Sequence, residues 1–209
     1  MTRKFLLILT VFLLPCFSLF AAPTVTKIML VGDSLSAGYG LKQEQSWVYL
    51  LQNKYVQSQE AIEIINTSVS GQTTDNALLK LQTQLATHQP SHVLIELGGN
   101  DGLRGFPIKV LKQNLRALAE QSQQSGASVA IMAVQVPPNL GPRYTQLFAQ
   151  SFADIANETQ SYLMPFFMTE IATDPTLMQN DNLHPNAKAQ PQIADFMAKE
   201  IATWLNKTN

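Results

Sequence analysis

The chain is poor in the residues that most often carry metal, redox or polyanion chemistry. Its 209 residues include one cysteine and three histidines, and only 14% of them are charged. A lone cysteine, Cys16, excludes a disulfide framework and a cysteine-built metal site. Lys and Arg number 14 against 15 Asp and Glu, with no basic cluster, so the chain lacks the electrostatic footprint of a nucleic-acid binder. Neither Gly-x-Gly-x-x-Gly nor a phosphate-binding Gly-x-x-x-x-Gly-Lys-Ser/Thr follows the first strand-like run, which argues against a nucleotide. Internal repeats, low-complexity runs and long polar linkers are also missing. What remains is 45% hydrophobic with little charge, the composition of an ordinary globular domain.

The longest apolar run, Phe5 to Phe20, is short of the about 20 residues that span a bilayer. It follows Arg3 and Lys4 and leads to Ala21 and Ala22, the three-part plan of a secretory signal. Cleavage after Ala22 would leave Pro23 just downstream, so residues 1–21 are read as the signal and 22–209 as one domain. Cys16 lies inside the signal, and Pro15 stands where a lipidated cysteine needs a small neighbour, which disfavours a lipoprotein. Removing the signal takes away Arg3 and Lys4 and no acid. A mildly acidic periplasmic or secreted domain is expected, with no membrane span once the signal is gone.

Along that domain, short apolar runs alternate with helical stripes. Ile28 to Val31, Ala61 to Asn66, His92 to Leu97, Ser128 to Val136 and Tyr162 to Met164 read as strands. Trp47, Leu50, Leu51 and Tyr55 form a helical stripe behind Ser46, a candidate N-cap. Further stripes are Ala77, Leu78, Leu81 and Leu85; Ile108, Leu111, Leu115 and Leu118; Leu147, Phe148, Phe152 and Ile155; and Ile193, Met197, Ile201 and Trp204. Pro191 should start or kink the last helix. Strands alternating with helices imply right-handed crossovers, a central parallel sheet of about five strands, and a three-layer α/β/α sandwich.

Several strands run straight into polar, glycine-bearing loops. The first delivers Gly32-Asp33-Ser34-Leu35-Ser36, the second reaches Gly71, and the third delivers Gly98-Gly99-Asn100-Asp101. The carboxyl ends of such strands are where open α/β sheets bind ligands, so Ser34 stands where chemistry is expected. The plainer reading makes Gly-Asp-Ser a turn, with Asp33 or Ser34 capping a helix. A serine hydroxyl needs a base. His88 and His92 flank a helix-to-strand connection at the opposite end of the sheet and read as surface residues, whereas His184 lies in Asp181-Asn182-Leu183-His184-Pro185 before the last helix. Asp181, three residues ahead, can fold back on the imidazole and fix its tautomer, although Pro185 at a first helical position would explain the loop without chemistry. The Gly71 N–H and the Asn100 carboxamide can supply an oxyanion site at the same edge.

These four blocks, in this order and spanning the whole domain, resemble the SGNH (GDSL) hydrolases. The stretches Gly32 to Gly40, Leu97 to Phe106, Gly141 to Tyr144, and His184 to Pro191 are most similar to that family's periplasmic branch acting on acyl thioesters, aryl esters and lysophospholipids. The resemblance implies the flavodoxin-like SGNH fold, with Ser34 as nucleophile, His184 as base and Asp181 as its orienting acid. It implies an oxyanion hole of the Ser34 N–H, the Gly71 N–H and the Asn100 side chain. It also implies a small-molecule acyl ester or thioester as partner, no metal, no cofactor, and a monomer. Leu103, Phe106, Leu140 and Arg143, on the loops after the third and fourth strands, are candidate substrate contacts, with Arg104 a second candidate for a polar head group. Packing of the loops against each other is the alternative. A carbohydrate deacetylase on the same scaffold and a lipid-binding module that lost its chemistry are the competing functions. Intact Ser34, Asp181, His184 and Asn100 argue against the second.

Overall fold

A computed structural model describes residues 25–208; the signal assigned to residues 1–21, with Cys16, lies outside the described residues. Five parallel strands form one sheet in the order β2-β1-β3-β4-β5. They are β1 (Thr26–Gly32), β2 (Ile62–Asn66), β3 (His92–Glu96), β4 (Ser128–Met132) and β5 (Tyr162–Met164). Their residues are near-continuously apolar in β1, β3 and β4 because helices cover both faces. On one face α2 (Trp47–Gln57) packs on α8 (Gln190–Thr208). On the other, α3 (Thr74–His88), α5 (Ile108–Gln124) and α6 (Pro142–Glu158) lie side by side.

The helical stripes bury as their spacing predicts, with one exception. Trp47, Leu51, Leu81, Leu111, Leu115, Phe148, Phe152, Met197 and Trp204 are buried, while Leu147 is 47% exposed and lies outside the α6 stripe. Ser46 does cap α2, its Oγ accepting the Tyr49 N–H at 3.3 Å. Pro191 sits in the first turn of α8, where a missing N–H costs nothing. Pro185 does not open a helix; it pairs with Met178 in an isolated bridge, and α8 begins at Gln190. His88 closes α3 and is half-buried, and the half-buried His92 ring packs edge-on against Trp204 at 5.1 Å.

The fourth strand is shorter than its sequence suggests, ending at Met132 rather than Val136. Its edge partner supplies only Tyr162 to Met164, opposite Ala130 to Met132. Past that point the Ala133 N–H still reaches the Met164 carbonyl at 2.8 Å, but the Val134 N–H turns back to Met132. Val134 to Val136 thus leave the sheet and become part of a cavity wall.

Order reverses between β1 and β3, where the chain first crosses outward to β2 and then returns to β1's other side. Such a switch point opens a crevice at the carboxyl ends of the two strands. Gly32 and Glu96 stand side by side there in the β1/β3 register.

Candidate active site

The turn that carries Ser34 forms because one carboxylate organises it. Asp33 Oδ1 accepts the Leu35 N–H at 3.0 Å and starts a single-turn helix, α1 (Ser34–Ala37), which Gly38 ends at φ 74°. The capping reading of Gly-Asp-Ser therefore holds, and it leaves Ser34 at the crevice. As the first residue of α1, Ser34 has an N–H with no helical carbonyl to meet, and the residue borders the crevice.

His184 is carried by a turn folded around Asp181. Asp181 Oδ1 accepts the N–H groups of Leu183 (2.9 Å) and His184 (3.0 Å), and Asn182 takes a left-handed φ of 53°, a conformation asparagine tolerates. Gln179 fastens this turn to the segment after α1: its N–H meets the His184 carbonyl at 2.8 Å and its amide donates to the Tyr39 carbonyl at 2.8 Å. Gly40 must be glycine beside it, because it has φ 74° and a Cβ would collide with the Gln179 amide. The Tyr39 ring lies 4.5 Å from the imidazole.

Two segments distant in sequence thereby meet. Asp181 Oδ2 is 2.7 Å from His184 Nδ1, and His184 Nε2 is 2.8 Å from Ser34 Oγ. Partial burial pulls the Asp181 carboxyl up, but the hydrogen bonds from His184 and Leu183 outweigh it and hold the group at about 2. An ionised Asp181 can only accept, so Nδ1 carries the proton and Nε2 is left as acceptor for the Ser34 O–H. That tautomer is the one a general base requires.

Asn100 arrives on α4 (Gly99–Leu103), directly after β3. Its Nδ2 donates to Asp33 Oδ2 and to the Gln72 carbonyl, each at 3.1 Å, so both amide hydrogens are engaged at the crevice edge. Gly71 also borders the crevice, and the Arg104 guanidinium donates to its carbonyl at 3.1 Å. Arg104 thus holds the loop that carries Gly71. Buried Asp101 ties the same region to α3 by accepting the Thr74 N–H at 3.0 Å and the Thr74 hydroxyl.

The crevice deepens into a cavity of about 720 Å³. Leu103 lines it, as do Val134, Val136, Pro137 and Pro138 from the loop after β4. Phe106, Leu140 and Arg143 are not among its lining residues, and each has a physical reason. The Phe106 carbonyl is held at 3.0 Å by the Tyr144 hydroxyl, which fixes its loop to α6; Leu140 packs on the core from a 3₁₀ turn; Arg143 is exposed in the first turn of α6. The missing wall comes from a segment to which the sequence assigns no role: Phe166, Ala172 and Met178, with Met168 and Thr169 from α7 (Met168–Ile171). Its signal was faint, an apolar Phe-Phe-Met run following the shortest strand. Among the described residues, no group of three or more His, Cys, Asp or Glu is arranged to hold a metal ion.

Comparison with known proteins places the chain in a family. Over 185 residues the chain is 44% identical to an arylesterase of Vibrio mimicus, covering 88% of this chain and 92% of that one. Over 187 residues it is 40% identical to the thioesterase 1/protease 1/lysophospholipase L1 of Escherichia coli strain K12, covering 90% and 88%. Among solved structures, the psychrotrophic esterase EstA from Pseudoalteromonas sp., inhibited by monoethylphosphonate, superposes with a TM-score of 0.86 at 52% identity over 87% of this chain and 99% of that one. With the family's sequence pattern matching residues 30–190, this chain belongs to the GDSL-like Lipase/Acylhydrolase family.

Proposed function

We propose that the protein is an exported serine ester hydrolase that works through an acyl-enzyme on Ser34. The observation that carries this reading is the hydrogen-bonded series Ser34 Oγ, His184 Nε2, His184 Nδ1 and Asp181 Oδ2, at 2.8 and 2.7 Å. Ser34 Oγ attacks the acyl carbonyl while His184 Nε2 takes its proton, and ionised Asp181 stabilises the imidazolium. The Ser34 and Gly71 N–H groups and the Asn100 amide receive the oxyanion. A full negative charge is a stronger acceptor than the neutral Gln72 carbonyl, so the Asn100 N–H that now donates to Gln72 redirects its hydrogen bond to the oxyanion as charge develops, keeping its proton. His184 then protonates the leaving oxygen or sulfur, and water repeats the sequence on the acyl-enzyme.

The substrate is an acyl ester whose chain occupies the cavity. At about 720 Å³, with apolar walls, it is far larger than an acetyl group needs, which favours a longer acyl chain over the deacetylase reading. The names of the relatives, arylesterase and lysophospholipase among them, support the same class. Export through residues 1–21 would place the enzyme in the periplasm or outside the cell, where acyl-CoA is scarce. Thioester cleavage is then a capacity of the site, and exposed acyl esters or lysophospholipids are the working substrates. Among the described residues no helix is long and apolar enough to cross a membrane.

A fluorophosphonate probe should label Ser34, and Ser34→Ala should lose labelling and lower kcat by several powers of ten. Peptide mapping after labelling gives the site. A label on another serine, or full turnover by Ser34→Ala, would overturn the assignment.

A further inference from the structure

Beneath the Ser34 turn lies an acid that this chemistry does not use. Glu96, the last residue of β3, is completely buried. Its Oε2 accepts the Ser36 hydroxyl at 2.7 Å and the Asp33 N–H at 3.3 Å, one contact on each side of Ser34. Ser36 is itself fully buried and Asp33 nearly so. Glu96 Oε1 is buried with no hydrogen-bond partner. The carboxyl sits where a side chain on Gly32 would otherwise go: a Cβ there would come within 2.7 Å of Glu96 Oε2 and of Ser68 Oγ. The glycine that opens the Gly-Asp-Ser block is thus the residue that makes room for the acid.

An aliphatic side chain would fill this space without the cost of desolvating a carboxyl. A buried acid with one oxygen left unsatisfied calls for an explanation, and the polar contacts of Glu96 all fall on the nucleophile turn. We propose that Glu96 is a positioning residue for the reaction at Ser34, a buried acceptor that clamps both sides of the nucleophile turn and fixes Ser34 Oγ against His184 Nε2. Burial, with the Asp33 carboxyl beside it, raises Glu96 well above the usual carboxylate range, so it acts as the neutral acid. Glu96 does not line the cavity, and its contribution therefore belongs to kcat and not to KM.

This inference rests on Ser34 being the nucleophile, and the test separates the two claims. Turnover is measured per fluorophosphonate-titrated site, together with the rate of labelling and the mapped label position. Glu96→Gln keeps the shape and an acceptor oxygen, and should hold kcat within about threefold of the wild type. Glu96→Leu should lower kcat and the labelling rate at Ser34 by about tenfold or more with KM nearly unchanged, since small displacements of a reacting group cost up to about 10²-fold. Ser36→Ala removes a single contact, should lower kcat by about three- to tenfold, and decides the matter if Glu96→Leu does not fold. Wild-type labelling of Ser34 in folded Glu96→Leu, wild-type kcat in Ser36→Ala, or a folded Glu96→Gln as slow as Glu96→Leu would each overturn the proposal. A wild-type label away from Ser34 would instead overturn the nucleophile assignment.

Discussion

Asp33 performs three tasks at once: it caps α1, takes one hydrogen of the Asn100 amide, and lies buried next to Glu96. Burial lifts its carboxyl to about 6, against the lowering pull of the Leu35 N–H, of His184 and of the Asn100 amide. An acid whose folded value exceeds its unfolded value of about 3.9 binds more protons when folded. The stability linked to Asp33 is therefore fully present below about pH 4 and lost as pH rises through about 6. Comparing thermal midpoints of the wild type and Asp33→Asn between about pH 4 and 7 isolates this group. The wild type's advantage should shrink as pH rises, and an advantage that grows would contradict the assignment. Asp181 behaves oppositely, since its value is held down near 2 and its contribution persists until strongly acid pH.

At the scale of elements, the cavity beside Ser34 is built by pieces that leave regular structure. β4 stops at Met132 for want of a partner, which frees Val134 to Val136, and α7 turns Met168 toward the same space. A buried amide side chain bridges two further segments beside the site. Gln190 Oε1 accepts the Trp47 N–H at 2.9 Å, and its Nε2 donates to the Asn186 carbonyl at 3.3 Å, joining the start of α2 to the loop that carries His184. Gln72 borders Asn100 through its own carbonyl. Leu103→Asn and Met168→Ser, on opposite walls, should depress hydrolysis of long-chain p-nitrophenyl esters more than of the acetyl ester. Each methylene that loses apolar contact accounts for up to about 0.8 kcal/mol, close to a fourfold change in kcat/KM. Leu103 is 41% exposed, so its replacement should leave folding intact. Equal losses on both esters, with unchanged melting, would show that these walls do not read the acyl chain.

Across the whole molecule, a single core supports the site from both faces of the sheet. Phe152 of α6 is fully buried, stacks edge-on with Phe148 at 5.1 Å, and closes under the loop after β3 so tightly that a Cβ on Gly98 would lie 2.9 Å from its ring. Phe152→Ala should cost about 3–5 kcal/mol through the cavity it leaves. That corresponds to a fall of roughly 6–20 °C in Tm for a domain of this size, in one cooperative transition. Differential scanning calorimetry checks it, and two separated transitions would mean that the halves of the sheet do not share a core. The surface pair Lys54 and Asp195 between α2 and α8 is half-exposed or more and adds little by comparison.

Much of this was written in the linear chain. Apolar runs alternating with helical stripes determined a parallel sheet between two helical layers, because covering both faces requires that pattern. Polar blocks marked Ser34, Asn100 and the Asp181 to His184 turn as candidates, and short-range hydrogen bonding by Asp33 and Asp181 shapes the two turns locally. What the chain could not reveal depends on contacts between segments far apart in sequence. Whether β4 ends at Met132 depends on the length of its neighbour, and whether Phe106 or Met168 faces the acyl cavity depends on which loop leaves the sheet. The burial of Glu96 beneath the nucleophile follows from the β1/β3 register, which places it beside Gly32. In the sequence it reads only as one acid at the end of a strand; the tertiary structure alone strips it of water and sets it against Ser36.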